Sequence, residues 1–274
     1  MDSTNSKGNH HPRIFSDLAY LWPLLSPFED YLPEAESVHR VLAEHLDPVL
    51  YRGGAKPCLL EMGAGGGHTL YHLANRYDLT AVDRSEMMLE NLRRLNPNVA
   101  THLGDMMSIR LGRTFDAVLI HDAIDYLQDE KEVTKALATA FTHLGPGGIV
   151  LVAPTYVTET FIDHDVAHDH HSDGETDLTY FSYVHRPRPD DTKVETILLY
   201  LVRKDGRVET VEDRHACGLF STDAWLAMMA AVGFDVETDY LIGPEQDGDD
   251  GVPMFVGKRS DNKIRLDKKN TGHL

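Results

Sequence analysis

The sequence predicts an α/β protein built on a doubly wound, mostly parallel sheet, and three observations carry the prediction. Between Leu59 and Ala153, short apolar runs alternate with stretches of helical period, the pattern of parallel strands joined by crossover helices. The first run, Leu59-Leu60-Glu61-Met62, breaks into Gly63-Ala64-Gly65-Gly66-Gly67 and passes at once into the helix-like His68-Thr69-Leu70-Tyr71-His72-Leu73-Ala74. Strand, glycine turn and helix in that order form a cradle for a nucleotide-like ligand. After Thr155 the crossovers give way to strand-like runs separated by turns, which marks an antiparallel insertion.

Each element follows from its local chemistry. Residues Met1 to Pro12 are polar and poor in apolar side chains, the composition of a mobile end. Ile14 to Trp22 carries apolar and aromatic residues at helical spacing before Pro23, and Val38, Val41, Leu42 and Leu46 repeat that period over Glu34 to Leu46. The second strand, Leu79 to Val82, leads to Asp83; Ser85 then caps a helix over Glu86 to Leu95 that Asn96-Pro97 stops. Val99 to Leu103 and Phe115 to Ile120 read as the third and fourth strands, Thr134 to Phe141 as a helix ending at Gly145, and Ile149 to Ala153 as the fifth strand. Thr179 to Val184, Val194 to Val202 and Val208 to Val211 read as the strands of the insertion, the last two joined by the turn Lys204-Asp205-Gly206. Ser221 or Thr222 opens a helix over Asp223 to Val232. Val236 to Leu241 and Met254 to Val256 complete the sheet across an acidic, glycine-rich link from Gly243 to Gly251, and the tail from Ser260 has the composition of a disordered end. The expected architecture is a Rossmann-like seven-stranded sheet with an antiparallel strand insertion after the fifth strand.

The 274 residues allow one sizeable core plus an insertion. Acids outnumber bases 44 to 26, a formal net charge of −18, which repels phosphate backbones and argues against nucleic acid as a partner. No apolar run reaches membrane-spanning length, and Met1-Asp2-Ser3-Thr4-Asn5-Ser6 lacks the regions of a signal peptide. Two cysteines, Cys58 and Cys217, make no disulfide framework, so the expected setting is the reducing cytoplasm, with no membrane.

Glu61 decides the ligand. The dinucleotide fingerprint leaves its helix N-terminus free for a pyrophosphate, whereas a carboxylate beside the turn repels one and suits a ligand with a positive amino-acid end. Glu61-x-Gly63-x-Gly65-x-Gly67 resembles motif I of the class I S-adenosylmethionine-dependent methyltransferases, and Asp83-x-Ser85-x-x-Met88 is similar to their second motif. The resemblance continues, in the family's order, through Gly104-Asp105-Met106, the strand Phe115 to Ile120, and Leu144 to Val152. Pro154 to Phe161, Asp213-x-His215-x-x-x-Leu219-Phe220 and Phe255-Val256-Gly257 resemble the aminosugar N,N-dimethyltransferases that finish the deoxysugars of macrolide antibiotics.

The resemblance implies S-adenosyl-L-methionine as cofactor and methyl transfer to the amine of a small-molecule substrate, an aminosugar among the candidates. Glu61 then receives the cofactor's amino group, and the amides of Gly63, Ala64 and Gly65 lie near its carboxylate. Asp83, with Arg84 beside it, binds the ribose; Asp105 after Gly104 accepts the adenine amine, Met106 gives a backbone contact and Met88 an apolar face. His121, ending the fourth strand, is the expected general base. Tyr20 or Tyr31, from a segment that closes over the site, faces the sulfonium or the substrate; Tyr156, Glu159 and His215 face the acceptor; Asp122 and Asp125 either cap the next helix or touch substrate. On this reading residues 1–50 form a helical lid, 51–154 the cofactor-binding core, 155–217 the insertion and substrate lid, 218–260 the rest of the core, and 261–274 a mobile tail.

Two alternatives stay open: an O-methyltransferase acting on a small molecule, with or without the help of a metal, and a cofactor-binding module without turnover. The metal rests on Asp163-His164-Asp165-Val166-Ala167-His168-Asp169-His170-His171-Ser172-Asp173. There His164 and His168 would share a helix face, with His171 a turn further, as ligands of a transition metal; the same tract also reads as a solvated lid.

Overall fold

A computed structural model describes residues 12–188, 192–241 and 251–260. The core strands are β1 (Cys58–Met62), β2 (Asp78–Asp83), β3 (Ala100–Leu103), β4 (Phe115–His121) and β5 (Leu144–Ala153), with β10 (Phe234–Leu241) and β11 (Val252–Arg259) added late in the chain. They form one seven-stranded sheet in the order β10-β11-β5-β4-β1-β2-β3. Every neighbour pair is parallel except that β11 runs antiparallel to both β5 and β10. The order reverses between β1 and β4, and a crevice opens there at the carboxyl ends of the strands.

Strand alternation divides the core into two layers. Leu59, Leu79, Ala81, Ala117, Leu119 and Leu151 pack on one face with α2 (Leu32–His45), α3 (His68–Leu73) and α4 (Glu86–Leu95). Leu60, Val82, Val118, Ile120, Val150 and Val152 turn to the other, beneath α5 (Glu130–His143) and α6 (Thr222–Val232). Caps set the helix starts: Ser85 accepts Met88 N–H, Asp129 accepts Glu132 N–H and Ser221 accepts Ala224 N–H.

The insertion is a four-stranded antiparallel sheet, β6 (Asp165–Ser172), β7 (Thr176–His185), β8 (Lys193–Lys204) and β9 (Arg207–Gly218), in chain order. Its inner face, through Leu178, Tyr200, Val202 and Val211, packs on Ile14, Leu18 and Leu21. The Asp213 carboxylate of β9 accepts Arg13 N–H at 2.8 Å and Ile14 N–H at 2.9 Å. From the core side, Asn91 Nδ2 donates to Ala19 O at 2.7 Å and the Ser85 hydroxyl to Phe15 O. The N-terminal segment is therefore held between both sheets.

Two expectations change. The helical period over Ile14 to Trp22 resolves into 3-10 turns at Arg13–Phe15 and Ala19–Leu21 before the short α1 (Trp22–Leu25). The histidine tract is an edge strand, β6, and not a helix. His164, just before it, and His168 are four residues apart, which along an extended chain is roughly 13 Å instead of one helical turn. Each histidine has an organic partner: His164 Nδ1 meets Tyr183 Oη at 2.6 Å, His168 lies against Phe181, and His171 stacks on Tyr180. Among the described residues no three His, Cys, Asp or Glu side chains converge as a metal-holding group. The acidic link falls outside the described residues except for Gly251, as does the tail beyond Ser260. Among the described residues no helix is long and apolar enough to cross a membrane, and both cysteines are free thiols.

Candidate active site

The crevice at the strand tips, roofed by β7 to β9 and the N-terminal segment, encloses a cavity of about 460 Å³. Its floor is the glycine turn after β1. Gly63 and Gly65 hold φ of +81° and +51°, the left-handed region where an L side chain is strained. That shape lets Gly63 N–H and Ala64 N–H both donate to Val82 O, at 2.8 and 3.0 Å, and Gly65 N–H donate to Asp83 Oδ2 at 2.8 Å. Asp83 Oδ1 accepts Ser85 N–H at 2.8 Å, so this carboxylate ties the first turn to the second while lining the cavity. Burial pushes Asp83 up from the usual carboxylate range, against the pull of its backbone donors.

Glu61, one residue before the end of β1, has 4% of its surface exposed, and its Oε2 has no hydrogen-bond partner. Burial first, then the charges of Asp83, Asp122 and Glu34, push its carboxyl well above the ordinary range. A buried oxygen of this kind calls for a donor that brings positive charge, which the amino-acid end of S-adenosylmethionine carries. The open glycine turn beside it leaves room for that ligand, so the residues fit the cofactor.

Of the other expected residues, Ala64, Arg84, Gly104, Asp105, Met106, Tyr31, His121, Tyr156 and His215 all line the cavity. Asp105 Oδ1 accepts Met107 N–H at 2.7 Å. Tyr31 donates to or accepts from Ser26 Oγ at 2.7 Å and meets the His68 ring edge-on, with centroids 5.1 Å apart. Burial lowers His68 to about 4, so its ring is neutral there. His121 Nε2 stands 3.2 Å from Asp122 Oδ1 and 3.8 Å from Glu34 Oε2. His215 accepts or donates at both nitrogens, Nδ1 to Tyr126 Oη at 2.8 Å and Nε2 to Asp213 Oδ2 at 3.2 Å.

Three expected contacts lie elsewhere. Tyr20 is 58% exposed, because the 3-10 turn points its neighbours Ala19 and Leu21 inward; Phe15 and Trp22 line the cavity instead. Met88 is fully buried beneath the glycine turn and forms its support, not the cavity wall. Glu159 is exposed, and both its oxygens accept Thr222 N–H at the start of α6, at 3.1 Å. Asp122 and Asp125 do not cap α5, whose N-cap is Asp129; both line the cavity. Trp22, Tyr126 and Tyr200 were not singled out by any motif. Ile197 to Val202 is a continuous apolar run, so no alternation in the sequence marks Tyr200 as inward-facing.

Glu34 gives this site a pH signature. Burial, with Asp122 adding repulsion and His121 opposing it, pushes Glu34 up to about 7. An acid raised on folding stabilises the fold fully below its unfolded value, and that contribution is lost as pH climbs through the folded one. The melting temperature of Glu34→Gln relative to the native protein is therefore expected to rise from pH 5 to about 7 and to level off above it in calorimetric scans. A difference that stays flat over that range refutes the assignment.

The sheet order, the glycine turn and the unpartnered Glu61 together define a class I methyltransferase site. Comparison with known proteins agrees. Residues 59–148 match the methyltransferase domain family. The chain is 32% identical over 233 residues to a dTDP-3-amino-3,4,6-trideoxy-α-D-glucopyranose N,N-dimethyltransferase of Streptomyces venezuelae, covering 84% of this chain and 91% of that one. It superposes on the sugar N-methyltransferase KedS8 of a Streptoalloteichus species with a TM-score of 0.75 at 28% identity, covering 95% and 98% of the two chains. For CalS10, an amino pentose methyltransferase of Micromonospora echinaspora solved with S-adenosylmethionine bound, the TM-score is 0.68 at 27% identity, over 84% and 92%. The chain belongs to the S-adenosylmethionine-dependent methyltransferases, in the family that includes the Streptomyces N,N-dimethyltransferase. It is an enzyme of that class, with S-adenosylmethionine as its cofactor.

Proposed function

We propose that the enzyme methylates the primary amine of a nucleotide-linked aminosugar, in two rounds, to the dimethylamino product. The observation that carries this reading is that the Glu61 to Gly65 cradle and the inner face of the insertion, through Tyr180, Thr196, Tyr200 and His215, border one cavity. An acceptor seated under that roof lies beside the cofactor. The likeness to KedS8 spans enough of the chain to take in the insertion, which supports a sugar substrate under the same roof.

Bound in the cradle, S-adenosylmethionine supplies an electrophilic methyl group on a sulfonium. Glu61 pairs with the cofactor's ammonium, Asp83 offers its remaining lone pairs to the ribose, Asp105 takes the adenine amine, and Gly63, Ala64, Arg84, Gly104 and Met106 complete the contact surface. Tyr31 and Trp22 close the cradle with aromatic faces. The acceptor nitrogen must lose a proton before it can attack, and His121, bracketed by Asp122 and Glu34, is the group proposed to take it. His215, fixed at both nitrogens by Tyr126 and Asp213, positions the acceptor, and Tyr156 walls it in. Orientation of this kind supplies much of the rate in a direct displacement.

The test is incubation with labelled S-adenosylmethionine and either dTDP-3-amino-3,4,6-trideoxy-α-D-glucopyranose or its 3-hydroxy counterpart. The expected product is the amino sugar carrying two labelled methyl groups on nitrogen. Label on the hydroxy sugar alone would make the enzyme an O-methyltransferase.

A further inference from the structure

One carboxylate on the cavity wall lies outside the set proposed to hold the cofactor. Asp125 sits in the 3-10 turn Ala123–Tyr126 that follows β4, is 5% exposed, and lines the cavity. Its Oδ2 accepts Thr155 N–H at 2.9 Å, whereas its Oδ1 is buried with no partner. The titratable groups that face it are Asp122 and Tyr126 of its own turn, Tyr156 from the segment after β5, and Cys217 of β9. None of these is a cation. Asp122 is already engaged, by His121 and by the Thr155 hydroxyl at 3.1 Å.

A buried carboxylate oxygen lacking a donor is unfavourable by itself, and a second carboxylate nearby makes it more so. A ligand hydroxyl would bring a hydrogen bond but no counter-charge, and so would leave the carboxyl holding its proton. An ammonium brings both hydrogen and charge. We propose that Asp125 is the docking carboxylate for the ammonium of the incoming acceptor, a cation subsite separate from Glu61. This rests on the aminosugar reading above and deepens it, because it assigns the residue that selects an amine over a hydroxyl. After one proton passes to His121, the neutral amine keeps an N–H on Asp125 and its lone pair free. The monomethylated intermediate still carries N–H and docks on the same oxygen, so one subsite serves both rounds.

The arrangement makes docking a proton-linked event. Burial, followed by repulsion from Asp122, pushes Asp125 up to about 8, so at neutral pH the empty site keeps its proton and a docking cation displaces it to solvent. The experiment is calorimetric titration of the S-adenosylhomocysteine-bound enzyme with the dTDP-3-amino sugar at pH 7, in two buffers of different ionisation enthalpy. Native enzyme is compared with Asp125→Asn, which keeps an acceptor for Thr155 N–H. Native enzyme is expected to release most of one proton on binding. Asp125→Asn is expected to release none and to raise the Kd of the amino sugar about 100-fold, with S-adenosylhomocysteine affinity unchanged as proof that the cradle is intact. Equal proton release and equal Kd in the two proteins would overturn the subsite, as would binding of the 3-hydroxy sugar as tight as that of the amine. Should native enzyme methylate only the hydroxy sugar, the aminosugar reading falls; should it methylate the amine with Asp125→Asn unaffected, the subsite alone falls.

Discussion

Replacing Glu61 with glutamine is expected to weaken S-adenosylhomocysteine binding on the order of 100-fold while leaving the empty protein as stable as before, or more so. In the empty enzyme the carboxylate is a liability, being buried, unpartnered at Oε2 and repelled by Asp83, Asp122 and Glu34. Glutamine keeps the shape and removes the charge, so nothing in the fold depends on the acid. With the ligand present the balance inverts, because the ammonium of the amino-acid end finds its counter-charge there. Removing one partner of such a buried charge pair costs about 2–5 kcal/mol, and about 2.7 kcal/mol already corresponds to 100-fold. Titration calorimetry measures the affinity and a thermal melt the stability. Unchanged affinity would remove Glu61 from the cofactor site, and a large drop in melting temperature would make it structural.

That residue was legible from the sequence because its signal is local: a strand, an acid and a glycine turn within nine residues of one another. The same holds for Asp83, Gly104 and Asp105, each placed by the end of its own strand, and for the capping residue Ser85. What stayed hidden is long-range or breaks periodicity. Asp213 clamps backbone groups 200 and 199 positions away in the chain, and no pattern within β9 announces that. Strand β6 is an edge strand exposed on nearly every residue, so it has no apolar alternation to read. Its conformation comes from pairing with β7, and a helical spacing of histidines was the only regularity left on the surface. The N-terminal segment misled for a related reason, since 3-10 turns break the 3.6-residue period and put Phe15 and Trp22, not Tyr20, against the cavity.

Gly63→Ala is expected to be among the most damaging single methyl additions to this protein, and the reasons separate cleanly. At φ +81° an L residue pays roughly 1–2 kcal/mol in backbone strain. The new Cβ would also lie 2.2 Å from Ala123 Cβ and 2.9 Å from Met106 Cε. The Met106 tip can swing away. Ala123 Cβ cannot, because it is fixed to the turn that carries Asp122 and Asp125, and overpacking of that kind costs about 1–3 kcal/mol. A chain of this size loses roughly 2–4 °C of melting temperature per kcal/mol, so a fall of about 10 °C is expected, together with loss of S-adenosylhomocysteine binding as the two turns are forced apart. Ala123→Gly removes the immovable methyl and leaves the backbone term untouched. Gly63→Ala should therefore be less harmful in the Ala123→Gly background than alone, by the packing share and no more, and a double-mutant cycle on the melts reads that difference directly. Full recovery would mean the left-handed backbone carries no strain, while no recovery would mean that the cradle and the Asp122 turn do not press on each other.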